Sequence, residues 1–303
     1  MQKYPLVSVI MNCYNGEKFL KDSISSVISQ TYKNWELVFW DNKSKDNSAL
    51  VAKNFKDERI RYYLAEKHTS LYEARGLAIT KSRGEFIAFL DVDDWWKEEK
   101  LEKQIPFFED SKIGLIHSNF YRVDEIVNKR SINYKNKLPS GKVTSNLLKD
   151  YKIGWLTVVI RKKAYESLID KFNSNYNIIG DFDLCIRLSI NWKFLYLENT
   201  LAYCRWHGEN LQITKAKQHQ LELKNWYKEN VKNIDLIKFS EFEYFKNNLN
   251  KMYLINLVKN GFNDDALKNL AQVKGLINKI KILILIFLPK KLKNFIFNQK
   301  FNF

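Results

Sequence analysis

Along the first half of the chain, short apolar runs alternate with segments whose apolar residues recur at helical spacing. That is the pattern of βαβ units and a mainly parallel sheet. "LVSVIM" (residues 6 to 11) reads as the first strand, and Leu20, Ile24, Val27 and Ile28 share one face of a helix that begins near Glu17. "WELVFW" is the second strand, ending at Asp41 and opening into the polar loop "DNKSKDNS", whose Asp46 or Asn47 is suited to cap the next helix. A third strand "RIRYYL", a helix over about Leu71 to Ile79 and a fourth strand "GEFIAFLD" come next, the last after the Arg83-Gly84 break.

The middle of the chain is mixed. A helix containing Leu101, Gln104 and Phe108 precedes strands at "IGLIHSNF" and "WLTVVI", a charged connection runs over about 122 to 142, and a further helix starts near Asp181. From residue 216 the pattern becomes helical, Lys-rich and poor in strand signals. The expected organisation is therefore a sheet-containing domain over 1–215 and a helical region over 216–303, with no internal repeat.

Candidate chemistry gathers where strands end. "FIAFLDVDDWW" (86 to 96) stops an apolar run with Asp91, Asp93 and Asp94, three carboxylates that repel one another unless something positive sits among them. A divalent cation such as Mg2+ or Mn2+ answers that need, since it takes oxygen ligands and is commonly held by one or two carboxylates plus substrate phosphates. The plain alternative is that Asp93 and Asp94 cap a helix beginning near Trp96. Asp41 lies at the end of another strand, and with Asn42 and Ser44 it offers short polar groups suited to a base edge or ribose hydroxyls, or else to an ordinary Asx turn. Tyr14 is placed to stack on a base or to pack, and Arg75 and Lys81 to reach a diphosphate or to be solvated. "IIGDFDLCIRL" sets Asp181 at a helix start, as a general base or an N-cap, with Asp183 and Arg187 as an exposed i,i+4 pair. "YCRWHGEN" supplies Arg205 and His207 in a loop.

In this order the motifs carry more than they do singly. "VSVIMNCYNGEKFLKDSISSVISQTYKNWELVFWDNKSKDNS", "EARGLAITKSRGEFIAFLDVDDWWKEEKLEKQ", "GDFDLCIRL" and "YCRWHGENL" closely resemble the family 2 glycosyltransferases, over roughly residues 5 to 215. The resemblance implies an α/β GT-A fold, a Rossmann-like and mainly parallel central sheet flanked by helices, with the C-terminal helices as an extension. It implies inverting transfer of a sugar from a nucleotide diphosphate sugar to a hydroxyl of a glycan or lipid-linked acceptor. Asp91-Val92-Asp93 matches the family's D-x-D motif, with Asp93 and Asp91 meeting Mn2+ or Mg2+ and Asp94 beside them. Asp41 and Asn42 match the nucleotide-binding pair, although Asn42 stands where many members carry a second aspartate. Asn12 and Tyr14 match positions lining the base, Arg75 a position near the diphosphate, and His207 the late R-x-H loop. Asp181 matches the catalytic aspartate, although Gly180 stands where an acidic residue is common.

Charge and cysteines refine this picture. The 303-residue chain carries a net charge of +16, and residues 216–303 hold sixteen lysines against seven acidic residues. No nucleic-acid recognition module accompanies that surplus, so an anionic membrane surface fits it better than a nucleic acid partner. Within residues 274–303 seven lysines and no acid surround "ILILIFL", a run too short to span a bilayer and suited to lie on one. The alternative is packing against the catalytic domain or another subunit. Three cysteines without metal-ligand spacing, and an N-terminus that passes directly into the first strand, lead us to expect a reducing, cytoplasmic setting with peripheral attachment to the inner face of the membrane. A sugar-nucleotide binder without catalysis is the runner-up reading, and a basic nucleic-acid-binding protein a more distant one.

Overall fold

In the computed structural model, residues 5–208, 210, 214–289, 291–293 and 296 are described. The strands at the centre of the sheet are apolar on both faces, which is why they read as continuous hydrophobic runs rather than alternating ones. β1 (Val7–Cys13) pairs in parallel with β2 (Trp35–Asp41) on one side and β4 (Phe86–Phe89) on the other, and β2 pairs in parallel with β3 (Ile60–Leu64). α1 (Glu17–Ile28) buries Leu20, Ile24 and Val27 in one core cluster with Val7, Val9 and Met11 of β1 and Leu37 and Phe39 of β2. α2 (Ser48–Asn54) comes after the polar loop, where Asp46 rather than Asn47 does the capping: its Oδ1 accepts from the Ser48 amide at 3.0 Å. α3 (Leu71–Ile79) lies along β1 and β2.

Beyond β4 the sheet continues in mixed directions. β8 (Val159–Arg161) runs antiparallel to β4 and to β6 (Ile113–Asp124), whereas β9 (Lys193–Trp206) is parallel to β6. Several expectations change here. Trp95–Trp96 does not start a helix: it is β5, antiparallel to Tyr203 and Ala202 of β9. The charged connection contains β7 (Lys129–Ile132), hairpinned onto β6. The strand order is therefore β3-β2-β1-β4-β8-β6-β9-β5, with β7 beside β6. α4 (Lys100–Gln104) is short, because Pro106 has no amide to donate and the chain tightens into a 3-10 turn over Ile105–Glu109, leaving Phe108 outside the α-helix. In "WLTVVI" only the last residues are strand. Thr157 turns its hydroxyl back to the Gly154 carbonyl at 2.7 Å, which holds Trp155–Thr157 in a 3-10 turn. Arg205 is not in a loop but on β9, and His207 comes directly after that strand.

α5 (Thr144–Lys149), α6 (Lys162–Glu166) and α7 (Gly180–Asn191) complete the first of two compact units, Met1–Ala216 and Lys217–Phe303. The second unit is helical. Leu254 and Val258 of the helix Ser240–Lys259 form a small core with Ala266, Val273, Ile282, Leu285 and Ile286, and Trp226 packs edge-on against Phe242 and Phe245. Among the described residues, no helix is long and apolar enough to cross a membrane.

One core residue breaks the apolar pattern. Lys100 is fully buried, its ammonium has no hydrogen-bond partner, and it sits 4.0 Å from the centre of the Trp96 ring. A desolvated cation–π contact is worth about 2 kcal/mol or more, which does not offset the several kcal/mol of burying an unpaired charge, so the neutral form is favoured. Burial accordingly pulls its pKa well below the ordinary lysine value. The unfolded chain then binds the extra proton, and stability rises with pH between the lowered folded pKa and the unfolded lysine pKa. Lys100→Met is expected to raise the neutral-pH melting temperature and to flatten this rise, as a denaturation series from pH 7 to 10 would show.

Candidate active site

Three neighbouring parallel strands deliver polar residues to one edge, the carboxyl-terminal edge where open α/β sheets bind ligands. Asn12 lies in β1 opposite Trp40 of β2, Asp41 closes β2, and Asp91 lies two residues past β4. Asp41 is buried and accepts from the Ser44 amide at 2.7 Å and from the Tyr62 hydroxyl at 2.6 Å. Asn42 does not offer its amide edge to a ligand. It donates to the Thr69 carbonyl at 2.9 Å and accepts from the Thr69 amide and hydroxyl, so it ties the β2 end to the loop before α3. The Asn12 amide is the contrasting case: both its oxygen and its nitrogen are buried with no partner. Tyr14 is 46% exposed, with its ring 4.1 Å from that of His68.

The acidic turn is held from two sides. On the first, Arg75 of α3 pairs with Asp91 at 2.5 Å and lies over the rings of Tyr72 and Trp155. Burial works against the guanidinium's charge, but Asp91 more than compensates and its pKa is raised. On the second, Arg205 of β9 donates through Nε to the Asp93 carbonyl at 3.0 Å and through its backbone amide to Asp94 at 2.9 Å, while its guanidinium also pairs with Asp22 and Glu125. His207 Nε2 stands 3.2 Å from Asp93 Oδ2. Burial and the neighbouring carboxylates push the Asp93 carboxyl up, and that of the buried Asp94 well up.

Asp181 sits in the first turn of α7, not at its N-cap, and its two oxygens accept from Tyr72 at 2.9 Å and Tyr151 at 3.0 Å. Burial raises its pKa, against the opposing pull of the two hydroxyls and Arg75. Through Arg75 and Tyr72 it joins the same cluster as Asp91. Asp183 and Arg187 do pair, at 2.5 Å, but the pair is largely buried rather than exposed, and the arginine also donates to the carbonyls of Asp170 and Lys171. Lys81 is not at the cluster; its ammonium lies 5.8 Å from the Tyr63 ring.

Asp93, partly open and 3.2 Å from His207, and Asp91 offer oxygen donors of the kind a hard divalent cation takes. Among the described residues, no group of three or more His, Cys, Asp or Glu side chains could hold an ion by itself.

Tyr62, Tyr72, Tyr151 and the clamp by Arg205 were not visible as site features in the sequence, because each acts across a separation that no local spacing reports. Arg205→Ala is expected to free the acidic turn, costing about 2 kcal/mol of stability, the partners Asp22 and Glu125 being too exposed for more. Denaturant melts would read the loss.

The family model "Glycosyl transferase family 2" matches residues 8–168. WfgD of Escherichia coli, a UDP-Glc:alpha-D-GlcNAc-diphosphoundecaprenol beta-1,3-glucosyltransferase, is 42% identical over 155 residues, 51% of this chain and 60% of WfgD. WfaP of the same organism, with the same activity in its name, is 29% identical over 216 residues, 70% of this chain and 82% of WfaP. In structure, residues 1–349 of S. aureus TarS in complex with UDP-GlcNAc match with a TM-score of 0.65 at 16% identity, over 94% of this chain and 82% of that one. The mannosyltransferase PcManGT of Pyrobaculum calidifontis, in complex with GDP-Man and Mn2+, matches with a TM-score of 0.65 at 13% identity, over 98% and 85%. The fold is GT-A, and the chain belongs to glycosyl transferase family 2.

Proposed function

We propose that this protein is an inverting glycosyltransferase that moves a sugar from a nucleotide diphosphate sugar, a UDP-sugar by preference, to a hydroxyl of a glycan or lipid-linked acceptor in surface-polysaccharide assembly. The observation that carries the reading is the line of contacts Asp91–Arg75–Tyr72–Asp181, which sets the acidic turn and a carboxylate base on either side of one buried cation. The UDP preference and the lipid-linked acceptor rest on what WfgD is named for and on the UDP-GlcNAc bound by TarS.

The side chains divide the work. Asn12, Tyr14 and Asp41 take the nucleoside, with Asn42 holding the adjacent loop in place. Arg75 offsets diphosphate charge from a largely buried position, where such interactions are strong. Asp93 and Asp91, with His207, would hold Mn2+ or Mg2+, which when bound supplies Lewis-acid stabilisation of the diphosphate leaving group. Asp94 keeps the turn closed against β9. Asp181 takes the proton of the acceptor hydroxyl as it attacks the anomeric carbon, and one displacement inverts that centre.

A panel of UDP-, GDP- and dTDP-sugars, with and without Mn2+ or Mg2+, tests this by release of nucleotide diphosphate. One donor is expected to give metal-dependent release that Asp93→Ala abolishes. Asp181→Asn is expected to lower kcat by about 100- to 10,000-fold while calorimetric donor binding persists. Because burial raises the Asp181 pKa, and a base must be ionised to act, the rate falls as pH drops through a value above the ordinary carboxylate range. Absence of nucleotide binding would overturn the reading.

The protein works at the cytoplasmic face of the membrane, attached peripherally through the helix Leu276–Phe287. Leu276–Phe287 is about 18 Å long at about 1.5 Å per residue, well short of a hydrocarbon core of about 30 Å. It has two apolar faces: Ile282, Leu285 and Ile286 fill the core of their own unit, whereas Leu276, Ile277, Ile280, Ile284 and Phe287 are exposed. Lys274, Lys281 and Lys291 are also exposed, a composition matched to anionic headgroups. The rest of the 274–303 stretch, at 290, 294–295 and 297–303, lies outside the described residues. The full chain is expected to float with vesicles containing phosphatidylglycerol, and Ile280→Asp with Ile284→Asp to stay in solution. Equal flotation of the two proteins would end the idea.

A further inference from the structure

Two tyrosines, brought from distant parts of the chain, close on the candidate base. The Tyr72 hydroxyl of α3 donates to Asp181 Oδ1 at 2.9 Å, and that of Tyr151, just beyond α5, donates to Oδ2 at 3.0 Å. Neither ring is free to swing. Tyr72 is 3% exposed and packs against Phe172 at 5.3 Å, and Tyr151 meets Phe182 edge-on, also at 5.3 Å. The carboxylate is thus held by both oxygens, with its plane set by two fixed donors.

Gly180 explains how the first ring gets there. A Cβ on residue 180 would fall 2.3 Å from Tyr72 Cγ, 2.5 Å from Cδ2 and 2.7 Å from Cδ1. Those atoms are the near part of the ring, which cannot yield without moving the whole side chain. Any residue but glycine at 180 therefore displaces Tyr72. An acidic residue at 180 and the Tyr72 hydroxyl on Asp181 exclude each other sterically.

We infer that Tyr72 and Tyr151 are positioning residues that aim the Asp181 carboxylate, and that Gly180 is the space Tyr72 requires rather than a lost catalytic position. The inference rests on the reading of Asp181 as the base. The other groups facing Asp181 are Arg75 from α3 and, on its own helix, Cys185, whose Sγ lies 3.6 Å from the Tyr151 oxygen. Hydroxyl donors stabilise the ionised carboxylate, so removing one must raise the pH at which Asp181 titrates.

The test needs no substrate. In full-length protein labelled with 13C at the aspartate carboxyl carbon, Asp181→Asn identifies the Asp181 resonance by its loss. Tyr151→Phe and Tyr72→Phe, which each delete one oxygen, are expected to move its midpoint up by half a pH unit or more, and the double variant further. Gly180→Ala is expected to act like Tyr72→Phe. Unmoved midpoints in both tyrosine variants would overturn the clamp. The kinetic counterpart is a lower kcat for nucleotide diphosphate release with donor KM unchanged. Full transfer by Asp181→Asn would instead remove the base assignment, and the positioning role with it, whatever the titration shows.

Discussion

The guanidinium of Arg75 has only 4% of its side chain exposed, and removing such a cation from water costs several kcal/mol unless it is well paired. Asp91 supplies the pair, and the faces of Tyr72 and Trp155 supply further attraction. The geometry of the whole site depends on this pairing, because it fixes one carboxylate of the acidic turn relative to α3. The same helix carries Tyr72, so one rigid element spaces the turn from Asp181. A lysine at 75 would neither stack nor pair in the same fixed orientation, because its charge is a point rather than a plane.

The opposite wall is a second basic residue with a different task. Arg205 reaches the turn mainly through backbone partners, the Asp93 carbonyl and its own amide on Asp94, and anchors its far end on Asp22 and Glu125. That leaves the Asp93 side chain facing His207 and open space. Three carboxylates in four residues are tolerable because each has a separate fate: Asp91 is paired, Asp94 is buried against β9, and Asp93 is left partly exposed.

The first four strands and α1 to α3 were legible because their apolar runs and helical periods are local. The strand-end positions of Asp41 and Asp91 were legible for the same reason, and the ordered motifs singled out Arg75 and Asp181 as candidates. What escaped depends on partners far along the chain. Trp95 and Trp96 are strand only because Tyr203 and Ala202 arrive more than a hundred residues later. β9 went unread because its run is broken by Glu198, Asn199 and Arg205, polar residues admitted where the strand leaves the core. Asn42 offers the same lesson in reverse, since its type suggested a base contact and its Thr69 partners occupy it.

Among the described residues, a few buried polar atoms have no hydrogen-bond partner, and they lie in the core as well as at the strand ends, Trp35 Nε1 and Gln104 Oε1 among them. Lys100 and His117 have unpartnered nitrogens too, and they avoid the larger cost of a buried charge by staying neutral, His117 with its pKa pushed down to about 3 by burial. Asn12 holds an unmet donor and an unmet acceptor at the end of β1, each costing about 1–3 kcal/mol, and the indole nitrogens of Trp40 and Trp155 add two more unmet donors near the same strand ends. Folding alone gives no return on that arrangement, whereas a base or sugar edge with complementary donors and acceptors would. On the proposed reading, that cost falls where the nucleoside would sit, at Asn12, on the strand lying between those that carry Asp41 and Asp91.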